Sequence, residues 1–126
     1  MNKIIIFNRN KLQGYQIISI IGLLPYLICG LYYQSIIAFI IFLNGILYWT
    51  TMSDTVCIID IIFNIILIIF VNMFTNYQPE TFYHTLIGIS SWVLNYYNTK
   101  TITSSLFHVI MVQTPLGCGL YYYIRE

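Results

Sequence analysis

The chain has 126 residues, of which 59% are hydrophobic and 7% charged, and its mean hydropathy is +0.79. Soluble domains carry roughly 25% charged residues, so this sequence lacks the charge to cover a water-facing surface. A formal charge of +1 with no basic patch excludes nucleic acid as a partner, and the length suits one small helical bundle.

Between Leu12 and Thr99 there is no lysine or arginine, and the only charged side chains are Asp54, Asp60 and Glu80. Such a stretch is built for lipid. A spanning helix needs about 20 mostly apolar residues, and long, non-alternating apolar runs favour helices over strands. The predicted fold class is all-α, a polytopic transmembrane helical bundle of about five spans. These are placed at about 14–33, 35–52, 56–73, 82–97 and 102–123. Residues 1–13 form a cytoplasmic N-terminal segment, and 124–126 a tail.

The first dozen residues hold Lys3, Arg9 and Lys11, with Ile4-Ile5-Ile6-Phe7 suited to lie along the interface. No small-x-small cleavage site follows the first apolar run, which therefore reads as an anchor and not a cleaved leader. Met1-Asn2 excludes N-myristoylation. The first span contains Pro25, which removes a backbone hydrogen bond and predicts a kink. It breaks at Tyr32-Tyr33-Gln34-Ser35. The second span closes with Asn44, Tyr48 and Trp49, and the third carries Asp60 and Asn64. Thr75-Asn76-Tyr77-Gln78-Pro79-Glu80 reads as a polar loop closed by its proline, and Asn98-Thr99-Lys100 as a second loop. The fifth span holds His108 and a second kink site at Pro115. Gly117 and Gly119 permit close helix contact there without forming GxxxG.

With five spans, Lys3, Arg9, Lys11 and Lys100 fall on one side and Arg125 on the other. The positive-inside rule then puts the N-terminus in the cytoplasm. Tyr32-Tyr33, Tyr48-Trp49, Tyr96-Tyr97 and Tyr121-Tyr122-Tyr123 all fall at span ends, where amphipathic rings settle among headgroups. The 26 Ile and 12 Tyr against a single Ala reflect AT-rich codons before physics. Cys29, Cys57 and Cys118 are dispersed, show no CxxC spacing and read as small apolar fillers.

An ionisable group inside a membrane is costly, and so is a candidate functional site. Asp60 lies about one turn into the third span, and Asn64 at i+4 shares its helix face. That face belongs inside the bundle. His108 lies about two turns into the fifth span. The five-span topology brings Asn44, Asp60, Asn64, Asn95 and His108 into one leaflet as a polar cluster. Interhelical hydrogen bonding is its structural role; Asp60 and His108 are its candidates for acid/base work. His84 belongs at the opposite interface. No GxGxxG, GxxxxGK[ST] or HExxH is present. A Ser104 or Ser105, His108 and Asp60 triad carries no weight, because such combinations arise readily by chance.

The segment Asn44-Gly45-Ile46-Leu47-Tyr48-Trp49-Thr50-Thr51-Met52, followed by Asp60, resembles the membrane hydrolase superfamily of alkaline ceramidases and adiponectin-type receptors. The resemblance covers some 40 residues. It implies a Ser-x3-His pair, an Asp and a late His-x3-His pair, the three histidines binding zinc for amide hydrolysis of a lipid. Here Gly45 stands at the Ser position and Trp49 at the first His. Asp60 stands at the Asp, and Ser104-x3-His108 where His-x3-His belongs. Two of three zinc ligands are thus replaced, and the family has seven spans. The chain is also similar to small multi-pass membrane proteins of large DNA viruses. That similarity rests on Asn44-Gly45, Asp60-x3-Asn64 and His108-Val109-x3-Gln113, and implies no particular reaction.

The leading expectation is a non-enzymatic structural, assembly or accessory component of a membrane, with the bilayer, other membrane subunits or its own copies as partners and no cofactor. One alternative is a degenerate zinc-dependent lipid amidase using Asp60 and His108, with His108 a metal ligand only in that case. A further alternative is an oligomeric channel or proton-conducting protein.

Overall fold

A computed structural model describes residues 12–96 and 101–125. Lys3, Arg9, Lys11, Lys100, Tyr97 and the Ile4-Ile5-Ile6-Phe7 segment lie outside the described residues, and with them most of the charge argument for orientation.

Every described element is a helix. In order they are α1 (Gly14–Tyr32), α2 (Ile36–Thr51), α3 (Asp54–Phe74), α4 (Gln78–Asn95), α5 (Ile102–Phe107), a π-helical turn (His108–Gln113) and α6 (Thr114–Ile124). The last three run on without a gap as one rod over 102–124. Two helices, α1 and α3, are long and apolar enough to cross a membrane.

The turns are short, and local chemistry explains each. Gln34 and Met52 adopt left-handed backbone, φ 54° and 51°, ending α1 and α2 without glycine. Around Gln34, the Ser35 N–H reaches back to the Gly30 carbonyl at 3.0 Å, while the Ser35 hydroxyl caps α2 by accepting from the Ala38 N–H at 3.2 Å. Thr101 caps α5 in the same way through Ser104 N–H at 3.1 Å. The helix bounds follow the predicted spans closely, except at α4. Gln78, Pro79 and Glu80 form its first turn and not a loop, because a proline at a helix start gives up an N–H that has no partner there anyway. α1 runs unbroken through Pro25.

Pro115 is treated differently. In an α-helix its ring would press on the carbonyl four residues back. Here the preceding turn is widened, and the Thr114 N–H bonds to Val109 O, five residues back. The Thr114 hydroxyl donates to the same carbonyl at 2.8 Å.

α1 lies centrally, against α2 on one side and the rod on the other, while α4 packs along the π turn and α6. Close approach depends on glycine at three crossings. A Cβ on Gly22 would collide with Gln113 Oε1 and come within 2.6 Å of Val109 Cγ2. On Gly45 it would meet Leu23 Cδ1 at 2.6 Å, and on Gly88 Leu116 Cδ2 at 2.7 Å.

α3 is held mainly at its two ends. Its only buried residues are Val56 and Val71. Near its C-terminus the Asn72 amide donates to the Ile68 carbonyl at 2.9 Å and to the Thr85 hydroxyl of α4 at 3.1 Å. Between these points it borders a cavity, and its outer residues, from Ile58 to Phe74, are largely exposed.

The burial pattern is inverted relative to a water-soluble domain. The described interior holds seven buried hydrophobic residues and nine buried polar ones, among them Gln16, Ser19, Thr81, Ser91, Ser105 and Gln113. The large apolar side chains point outward: Ile28 is 64% exposed, Ile36 75% and Leu94 73%. The interior is held by hydrogen bonds. Gln16 Nε2 donates to Trp49 O at 2.7 Å, tying α1 to α2, and the Ser105 hydroxyl donates to Tyr15 O at 2.8 Å, tying the rod to α1.

Candidate functional site

Two adjoining cavities occupy the space that α3 leaves open. The larger, about 350 Å³, is walled by α1 to α4 and by the rod beyond α5: Leu23 and Tyr26 of α1, Ile41 and Trp49 of α2, Asp60, Asn64 and Asn72 among others of α3, Thr85 and Ile89 of α4, and Gln113 and Leu116 of the rod. The smaller, about 200 Å³, lies toward the C-terminal ends of α2 and α4 and includes Tyr48, Cys57, Asn95 and Ser104. Trp49, Asp60, Ile61, Trp92 and His108 line both. Of the residues that line the larger cavity, Ile65 and Ile69 of α3 and Ile89 of α4 are exposed.

The polar groups meet in the shared part. Asp60 lines both cavities, and Asn64, one turn on along the same helix, lines the larger one with it. Asp60 Oδ1 is sealed from the surroundings and has no partner. His108 lines both cavities and its ring makes a T-shaped contact with Trp49, centroids 5.8 Å apart. No hydrogen bond joins Asp60 to His108. Tyr48 and Cys57, the latter one turn before Asp60, both line the smaller cavity.

The π turn positions the rod's contribution. Residues five apart stand about 140° round from each other on an α-helix. Bonding five residues back instead winds the chain more slowly, so His108 and Gln113 both line the larger cavity. Gln113 Oε1 packs against Gly22 and has no hydrogen-bond partner.

Of the predicted cluster, Asp60, Asn64 and His108 line the larger cavity, and Asn95 lines the smaller one. Asn95 is engaged with Ser104, donating to its carbonyl at 3.1 Å and accepting from its hydroxyl at 3.2 Å. Asn44 is not among the lining residues of either cavity. His84 is remote, at the start of α4, with Nδ1 2.7 Å from Glu80 O. Sequence reasoning passed over Trp92 and Tyr26, and gave Gln113 no role at the site. Trp92 could have been found from its place on α4, one turn before Asn95.

These residues do not suit the zinc that the hydrolase resemblance implies. Asp60 and His108 supply two donors where about three or four are needed. Gly45 and Trp49 offer none, and Ser104 is committed to Asn95. Among the described residues no group of three His, Cys, Asp or Glu comes together. What the arrangement can do is bind: it is a mainly apolar chamber with one carboxyl, one imidazole and two indoles at the end it shares with the smaller cavity.

No family model, curated protein or solved structure matches this chain.

Proposed function

We propose that this chain is a five-span integral membrane protein that works as a non-enzymatic assembly or accessory component, with its N-terminus in the cytoplasm. The observation that carries the reading is the inverted burial, with small and polar residues inside and large apolar ones outside. Lipid does not drive apolar helices together, so membrane bundles cohere through close small-residue contacts and interhelical hydrogen bonds. Gly22, Gly45 and Gly88 at helix crossings, and the Gln16 and Ser105 links, are devices of that kind.

Helix lengths are compatible with five crossings. The rod over 102–124 is about 34 Å long at 1.5 Å per residue, against a hydrocarbon core of about 30 Å. α2 has 16 residues, about 24 Å, and Tyr33 before it and Tyr48 in its last turn would sit toward the headgroups. α3, exposed along most of its outer face, is the helix available to other membrane subunits or to lipid.

The test is topology mapping by glycosylation sites inserted singly at Gln34, Ser53, Asn76 and Thr99. Modification at Gln34 and Asn76 but not at Ser53 or Thr99 is the expected pattern. Modification of adjacent loops on one side would remove a span and with it this reading.

A further inference from the structure

We propose that the shared end of the two cavities binds a lipophilic ammonium, a molecule with one positively charged nitrogen head and an apolar body. This goes beyond a scaffold role and assigns the chain a ligand.

The first argument is charge. A carboxylate inside a bilayer needs a partner. Asp60 lines both cavities, and its Oδ1 has no hydrogen-bond partner. The only lysine or arginine among the described residues is Arg125, at the opposite end of the bundle. Its guanidinium lies over the rings of Tyr77 and Tyr122, 5.3 Å from each centroid. A cation supplied by a ligand would balance Asp60 where the described chain does not.

The second argument is the walls around that charge. Trp49 and Trp92 line both cavities together with Asp60. Indole faces attract cations, most strongly where water is excluded. A carboxylate beside aromatic rings is the chemistry that selects an ammonium over other heads. An anionic head would face Asp60 as a like charge. A neutral alcohol would leave the carboxylate unbalanced.

The third argument is the remaining space. The larger cavity, about 350 Å³, falls within the ~300–1,000 Å³ range of small-molecule sites. Away from Asp60 its walls are mainly Ile41, Ile68, Leu116 and Leu120, which suit an alkyl body. Its exposed wall residues Ile65, Ile69 and Ile89 mark the side by which a molecule dissolved among lipid tails would enter.

The two indoles are the only tryptophans in the chain, so their fluorescence reports on the site directly. The purified protein, in uncharged maltoside micelles, is titrated with dodecylammonium, dodecanol and dodecanoate. Saturable change with dodecylammonium, at least about tenfold tighter than with either other probe, is expected. Asp60→Asn should reduce the ammonium to the level of the alcohol. Equal binding of all three probes, or an unchanged preference in Asp60→Asn, overturns the proposal. Should Asp60→Asn fail to fold, Trp92→Leu, read through Trp49, must weaken dodecylammonium and spare dodecanol; parent-like ammonium binding there also overturns it. These readouts are independent of the loop mapping, so either proposal can fail without the other.

Discussion

The phenol of Tyr26 on α1 donates to the backbone carbonyl of Gln113 at 2.6 Å, bridging 87 positions of sequence. Gly117 makes room for it: a Cβ there would lie 3.2 Å from the Tyr26 oxygen. The bond fastens α1 to the end of the π turn, where His108 and Gln113 are presented to the cavity. Tyr26→Phe keeps the ring and removes the donor. It should cost about 1–2 kcal/mol, seen as a lower Tm in detergent with the fold retained.

Gly22 faces the same turn from α1. Gly22→Val would drive two methyl groups into Gln113 and Val109. Overpacking of this kind costs about 1–3 kcal/mol. Reduced Tm in Gly22→Val, with a smaller loss in Gly22→Ala, is the expected order; equal stability of all three would show that the crossing is loose.

Asn72 pins the C-terminal end of α3 to α4. Asn72→Leu removes both of its bonds and leaves the Thr85 hydroxyl without that donor. Amide exchange should quicken around 70–75 while α1 and α2 keep their protection. Uniform protection across the mutant would mean that α3 is held by something other than this contact.

Ile62 and Ile66 lie on the exposed face of α3. In water, Lys at either position would be tolerated or would raise solubility. In lipid, a lysine near mid-helix costs about 2.5–3.5 kcal/mol of insertion free energy. Ile62→Lys and Ile66→Lys should therefore reduce the membrane-integrated fraction, measured by resistance to alkaline extraction.

Met52 holds a left-handed conformation that costs an ordinary L-residue roughly 1–2 kcal/mol. Met52→Gly removes that strain and loses some side-chain packing. A net gain of up to about 1 kcal/mol, read as a higher Tm, is expected.

Much of this arrangement is legible in the sequence, and the gaps have physical causes. Apolar run length gives where helices lie, so α1, α2, α3 and the rod begin and end close to expectation. Pro79 suggests a loop because proline is unwelcome inside a helix, yet at the start of α4 it has no such cost. That Asp60 and Asn64 both line the larger cavity follows from a spacing of four. The wider cluster was predicted from depth in the bilayer alone. Depth says nothing of direction round a helix: Asn44, one residue before the cavity-lining Gly45, is turned about 100° from it. The π turn leaves no periodic trace, since a single slow turn within an apolar helix changes no pattern that the sequence displays.

That turn amounts to one surplus residue wound into a rod. Six residues wind there through nearly the angle that five would take in an α-helix, so a rod lacking one of them would keep its downstream face. Tightening the turn to regular winding with no residue lost would instead swing everything downstream by about 100°. Tyr121, Tyr122 and Arg125 would then leave Tyr33 and Tyr77, their neighbours at that end. The facing of α6 is thus set by how a single turn winds, at a place far from the aromatic contacts it aligns.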